Sequence, residues 1–300
     1  RRFPEDFACA VIACAATVGP IIPPSIVFLL LASIVNLSVG QLFLAGVAPG
    51  ILMSAFMFGV TWWLCKKRDY PREPRATRAE KVRALRDGFL PLIAPALIVG
   101  SIVAGIATPT ESAAIAVGYT LALGLIVYRN TSLAALLHAA GTAAIGSGLV
   151  MLTVAASQIF AWLAVQEHLG ELLTSSMLKL STNVYAVLLL VNLLMLVLGM
   201  FMELVPIIFI LAPIVFPWLA KMGVSEIQFA VVMTLNLMIG MITPPIGLNL
   251  MVLSAISGVD VIRIFRACVP YVWALLAVLL LITYIPALTL FVPQLFYPAK

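Results

Sequence analysis

The chain has 300 residues, 63% hydrophobic and only 10% charged, with a mean hydropathy of +1.17 and a net charge of +5. Soluble domains carry about 25% charged residues, so this composition excludes an ordinary soluble enzyme or nucleic-acid-binding module and predicts a polytopic helical membrane protein. Its apolar runs are long and continuous rather than short and alternating, which excludes a β-barrel, and its cysteines (Cys9, Cys14, Cys65, Cys268) form no CxxC and no Cys/His cluster.

The chain starts at Arg1 with neither methionine nor signal peptide, so a fragment is expected. The first predicted span, 7–36, carries the break GPIIPPS at 19–25, where Pro20, Pro23 and Pro24 forbid a continuous helix. The second, 40–65, ends at Trp62 and Trp63, which suit an interfacial aromatic belt. The segment 66–88 then holds nine Lys/Arg and four Asp/Glu. By the positive-inside rule it is a cytoplasmic basic loop, carrying an amphipathic surface helix rather than a nucleic-acid patch. Spans at 89–106 and 110–128 follow, turning at ATPTES, where Thr108-Pro109-Thr110-Glu111 has the order of a helix start. Residues 134–164 form the next span, whose small-residue run AAGTAAIGSG favours close helix packing. His138 and His168 fall near its two ends, with no catalytic partner.

Residues 184–219 are interrupted at GMFMELVP (199–206), and their short arms predict a re-entrant hairpin. Residues 227–257 are interrupted at GMITPPIG (240–247), and 267–292 form the last span. This layout puts 14 of the 17 Lys/Arg on the cytoplasmic side. The organisation expected is a broken helix with its following span over 1–65, the basic loop over 66–88, connecting or scaffold spans over 89–183, and a second repeat over 184–300.

The two breaks match. GPIIPP and GMITPP both read G-x-x-x-P-P at an offset of 221 residues, and the offset continues to Ser33/Ser254 and Pro49/Pro270. Upstream, Phe7-Ala8 resembles Phe229-Ala230 with a one-residue slip. The two copies run in opposite directions across the predicted membrane, so an inverted-topology repeat is expected, with its site where the helices are discontinuous. Broken backbone is tolerated at membrane depth only when it is buried in protein or lines a polar cavity. Carbonyls freed by proline, with nearby hydroxyls, make a hard-oxygen cation site. The N-terminal end of the following half-helix can face an anion. By the same symmetry a counterpart hairpin is expected ahead of Arg1.

These motifs resemble the large membrane subunit of tripartite ATP-independent periplasmic (TRAP) transporters. The matching pieces are FACAVIACAATVGPIIPPSI, GIATPTESAA, GMFMELVPIIFILAPI, LNLMIGMITPPIGLNL and LLITYIPALTLFVPQL, in the family's order and over nearly the whole chain. One departure is the run Leu204-Val205-Pro206-Ile207 after Glu203, where the family usually has small residues. The resemblance implies an elevator-type inverted-repeat transporter in a bacterial inner membrane. Its activity would be sodium-coupled uptake of organic acids such as C4-dicarboxylates or sialic acids. It implies as partners a periplasmic substrate-binding protein and a small four-helix membrane (Q) subunit. The alternative within the same superfamily is a secondary carboxylate transporter working without a binding protein.

The resemblance also places ion sites at the hairpin tips and broken helices. One sodium site is expected from Thr17, Val18, Gly19, Pro20 and Ser25, the other from Gly199, Glu203, Gly240, Thr243 and Pro245. Pro23, Pro24, Asn236, Thr243 and Asn249 are the candidates for meeting the organic anion. For Thr17 and Ser25 the competing reading is back-bonding to the helix, common for hydroxyls in membranes. Glu203 reads equally as a functional intramembrane carboxylate or as a cap on the hairpin's second arm. An intramembrane enzyme would need HExxH, GxSxG with a partner histidine, or paired aspartates, none of which is present. A channel would need a continuous lined pore, and a pure scaffold would not need two matched breaks.

Overall fold

The computed structural model describes residues 3–68, 70, 76–129, 131–168 and 183–297. The sequence expectations at Arg1, Arg2, Asp69, 71–75, Lys179 and Lys300 therefore lie outside the described residues. Among the described residues there are twelve α-helices and no strand. Seven stretches are long and apolar enough to cross a membrane. The chain divides into two compact units, residues 72–153 and the remainder.

In the larger unit, α1 (Glu5–Ala16) and α2 (Ile26–Val35) are the halves of the first broken helix. α3 (Val39–Lys67) returns as one long helix. Its end places Trp62 and Trp63 largely exposed, with the Lys66 and Lys67 ammonium groups over their rings at 5.4 and 5.0 Å. Exposed rings beside basic side chains are what an interfacial belt would require. After Asn183 come α7 (Val184–Phe201) and α8 (Leu204–Lys221), joined by Met202-Glu203. Each has 18 residues, about 27 Å at the α-helical rise, and each passes the length and hydropathy test for a full crossing. The second broken helix is α9 (Glu226–Gly240) plus α10 (Leu248–Ser257).

The last predicted span, 267–292, is instead two helices, α11 (Val261–Tyr284) and α12 (Ala287–Phe296). The first starts earlier because Asp260 caps it, accepting from the N–H groups of Ile262 and Arg263. It stops at Tyr284 because Pro286 pushes Ile285 out of helical backbone.

The core of this unit is α9. Every residue from Gln228 to Gly240 is buried, the pattern of a helix enclosed on all sides. α9 packs on α7, α8 and α11, and Phe229 meets Phe216 of α8 edge-on at 5.1 Å. The two broken helices are built alike. Each second half has 10 residues and leads through a three-residue turn (36–38 and 258–260) into a long helix. Their contacts also interchange: α1 packs on α10 and α11, while α9 packs on α2 and α3. Likewise α2 lies on α3 as α10 lies on α11.

The smaller unit holds α4 (Arg78–Val103), α5 (Pro109–Ala122) and the first part of α6 (Leu133–Gln166). A π-helical turn, Leu123–Val127, extends α5. The helix start read at 108–111 is a complete capping box. The Thr108 hydroxyl accepts from the Glu111 N–H, and the Glu111 carboxylate accepts from the Thr108 N–H at 2.8 Å. The segment 66–88 is only partly a loop. A second capping box, Thr77 with Glu80, starts α4 at Arg78, so 78–88 is continuous with the span that follows.

Candidate functional site

The first break begins where α1 runs out at Ala16. The N–H groups of Thr17 and Val18 still reach back to the carbonyls of Cys14 and Ala15. Pro20 has no N–H to offer, and the chain turns on Val18, whose carbonyl accepts from both Ile21 (3.0 Å) and Ile22 (3.1 Å). Ser25 closes the loop. Its hydroxyl donates to the Pro20 carbonyl at 2.6 Å and accepts from the Phe28 N–H, capping α2. Thr17 is fully buried, and its hydroxyl donates to the Cys14 carbonyl at 2.6 Å. Gly19 and Pro24 are exposed, with Pro20 and Pro23 half-buried.

The loop is seated on α3 at Gly46 and Gly50. A Cβ on Gly46 would collide with the Ile21 carbonyl oxygen and the Phe28 ring, and one on Gly50 would stand 2.5 Å from Ile22 Cγ1. This G-x-x-x-G spacing is a known signal of close helix approach, and its role here as the seat of the break was not read from sequence.

The second break repeats the pattern on α9. The Thr243 N–H bonds the Gly240 carbonyl, and its hydroxyl donates to the Ile239 carbonyl at 2.8 Å. The Asn249 N–H reaches back across the loop to the Met241 carbonyl at 3.1 Å. Gly247, at φ +57°, begins α10 in a left-handed conformation that favours glycine. Pro245 is exposed.

This break meets the joint between α7 and α8. A Cβ at Gly240 would stand 2.6 Å from the Gly199 carbonyl carbon and 2.7 Å from its Cα. The two backbones touch because neither residue has a side chain. The Ile246 N–H then donates to the Met200 carbonyl at 3.2 Å, tying the break to the joint. Glu203 occupies the N-cap position of α8 but makes no side-chain cap bond and is exposed. Among the described residues no group of three His, Cys, Asp or Glu could hold a metal.

Asn236 is not in either loop. It is fully buried one turn before the second break, and its amide N–H groups donate to the main-chain and side-chain oxygens of Asn192 at 2.8 Å each. Asn192 in turn donates to Thr283 on α11 at 3.2 Å, and Gln228 donates to the carbonyls of Ile282 and Thr283. This polar chain joins α7, α9 and α11 inside an apolar core. Its partners were not anticipated, since they lie 44 to 91 residues apart. Asn192→Ala should lower stability by roughly 1–3 kcal/mol, because it removes bonds from buried groups that keep their desolvation penalty. The double variant Asn192→Ala/Asn236→Leu should cost less than the sum of the singles, with a coupling of about 0.5–3 kcal/mol. Thermal unfolding of the four proteins checks this, and strict additivity would contradict the network.

A family profile described as "Tripartite ATP-independent periplasmic transporter, DctM component" matches residues 1–288. The chain belongs to this family. It is 35% identical over 295 residues to the sialic acid TRAP transporter large permease protein SiaM of Vibrio cholerae, covering 98% of this chain and 69% of the relative. It is 36% identical over 295 residues to the C4-dicarboxylate TRAP transporter large permease protein DctM of Pseudomonas aeruginosa, covering 97% and 68%. It is 34% identical over 292 residues to the isethionate TRAP transporter permease protein DctMQ of Oleidesulfovibrio alaskensis, covering 97% of this chain and 46% of that one. The chain thus spans about two thirds of the first two and about half of the third. The relatives named above are membrane permeases, and the seven crossing-competent stretches among the described residues agree with a multi-pass membrane protein.

Proposed function

We propose that this DctM-family chain carries the transport site for sodium-coupled uptake of an organic anion across a bacterial inner membrane. A periplasmic binding protein delivers the substrate, and a small membrane subunit accompanies the permease. The observation that carries this reading is the pair of Gly-Pro-Pro breaks, each followed by a 10-residue half-helix, whose halves pack crosswise on one another. That interchange of contacts is what a pseudo-two-fold axis in the membrane plane would produce, and it supports an inverted repeat. The contact of Gly199 with Gly240 supports reading α7–α8 as a re-entrant hairpin whose tip meets the second break. Motion of such a unit against a scaffold would be of the elevator type. The relatives' names, covering sialic acid, C4-dicarboxylates and isethionate, support a small organic anion as the substrate class.

The donor chemistry fits a hard monovalent cation. The hydroxyls of Thr17 and Thr243 each give their hydrogen to a carbonyl of their own helix, which leaves oxygen lone pairs facing away. Helix back-bonding and cation ligation are therefore compatible here. Thr17, Gly19, Pro20 and Ser25 form the first proposed site. Val18 contributes least, its carbonyl already accepting two N–H groups. Gly199, Gly240, Thr243 and Pro245 form the second, with Glu203 at its edge. A bound cation would supply positive charge toward the carboxylate. Pro23, Pro24, Thr243 and Asn249 would shape the anion's surroundings, whereas Asn236 would act through the buried network.

The test is uptake into proteoliposomes at varied sodium, with binding protein and small subunit present. Thr17→Ala and Thr243→Ala should each raise the half-saturating sodium several-fold while leaving the rate at saturating sodium near that of the parent. Unchanged sodium dependence in both variants would remove the assignment.

A further inference from the structure

The first three turns of α4 are set apart from the apolar remainder of that helix. From Arg78 to Asp87 every residue is exposed. Val82, Leu85 and Phe89 follow an i, i+3, i+7 spacing and form one apolar stripe, and all three are at least 60% exposed. Lys81 and Arg86 flank the stripe, while Glu80 and Asp87 fall on the opposite side of the helix. Both acids are also engaged internally. Glu80 closes the capping box with Thr77, and Asp87 faces Arg83 at 3.8 Å. Arg78, Arg83 and Arg86, with Val82 and Asp87, line an open groove of about 660 Å³.

Two tyrosines of the same unit mark where this basic end gives way to the apolar one. Tyr128 donates to the Asp87 carbonyl at 3.4 Å and Tyr119 to the Leu90 carbonyl at 2.9 Å. Tyrosine is enriched at membrane–water interfaces. α4 has 26 residues, whereas a crossing needs about 20. A crossing at the short end of the usual range, about 17 residues, would leave its first turns beside these tyrosines at headgroup level.

We infer that the groove formed by Arg78, Arg83 and Arg86 is a binding site for the phosphate of an anionic phospholipid, whose acyl chains lie along Val82, Leu85 and Phe89. Guanidinium groups match phosphate geometry. Their aliphatic stems follow the apolar stripe while the charged ends stay at the headgroups. Glu80 lies outside the groove, and three arginines against the single carboxylate of Asp87 leave it net positive, which makes the site selective for anionic over zwitterionic lipid. The exposure of the groups makes the binding salt-sensitive.

The experiment is native mass spectrometry of the purified protein, with equal amounts of phosphatidylglycerol and phosphatidylcholine added in detergent. The parent protein should retain phosphatidylglycerol in clear preference. Each arginine near an anionic headgroup is worth about fivefold, so Arg78→Gln/Arg83→Gln/Arg86→Gln should lower phosphatidylglycerol retention by on the order of a hundredfold. Phosphatidylcholine retention should be unchanged. Glutamine has nearly the helix propensity of arginine, so α4 should persist. If the triple variant is lost, Arg86→Gln alone reads the same quantity at about fivefold. Added inorganic phosphate should leave the bound lipid in place. Displacement of the lipid by phosphate, or full phosphatidylglycerol preference in the variants, would overturn the assignment.

Discussion

Gly240→Ala is expected to loosen the contact between the second helix break and the α7–α8 joint, and to do so far more than Gly199→Ala. The new methyl would stand 2.6–2.9 Å from three main-chain atoms of Gly199. Main chain cannot rotate away as a side-chain tip can, so either α7 retreats or the break reopens. Overpacking of this kind costs about 1–3 kcal/mol. Alanine in place of a helical glycine returns up to about 1 kcal/mol, so the loss prevails. At Gly199 the corresponding methyl would meet its nearest neighbours at 3.2–3.4 Å, a tight contact that a small shift relieves. The thermal midpoint of Gly240→Ala should fall clearly below that of Gly199→Ala. On the proposed function, its half-saturating sodium should rise by about tenfold, the equivalent of about 1.4 kcal/mol of lost site geometry. Equal behaviour of the two variants would mean that the Gly199–Gly240 contact does not hold the site together.

The parts of this architecture that local chemistry dictates were readable in advance. Three prolines in GPIIPPS and two in GMITPP end a helix whatever surrounds them, and the breaks lie at Thr17–Ser25 and Met241–Gly247. The run Thr108-Pro109-Thr110-Glu111 was legible for the same reason, since a capping box closes within one turn. A like signal at Thr77-Arg78-Ala79-Glu80 starts α4, and the charge of the segment points to a separate surface helix within a basic loop, whereas this helix runs on into the span. What could not be read is what depends on a distant partner. Asn236, one turn before the break, reads from sequence as a candidate for the organic anion, and only the packing of α7 and α11 shows it bonded to Asn192 and through that residue to Thr283. Glu203 was expected at membrane depth as a cap or a ligand, yet whether a carboxylate caps depends on the approach angle of the preceding chain, and here its side chain makes no cap bond.

The largest single-residue effect in the first repeat is expected at Gly46. A methyl there would overlap the Ile21 carbonyl oxygen and lie 2.6 Å from Cε2 of Phe28. Both Ile21 and Phe28 are 0% exposed, so neither has room to yield. The first break would have to lift off α3, taking with it the turn from Val18 to Ser25. Two neighbours on the same helix provide internal controls. At Gly50 the methyl would stand 2.5 Å from a side-chain carbon of Ile22, which is 42% exposed and can swing aside. At Gly59 nothing lies within 4 Å, and alanine should gain about 0.5–1 kcal/mol of helix stability. The expected order of destabilisation is therefore Gly46→Ala, then Gly50→Ala, with Gly59→Ala neutral or slightly stabilising. The first should lose at least 1–3 kcal/mol, the usual cost of an overpacked core. Thermal midpoints of the three variants, read by the loss of monodisperse protein on heating, give the order directly. If Gly46→Ala melted together with Gly59→Ala, the break would not be seated on α3, and the two half-helices would need some other support to hold their carbonyls in place.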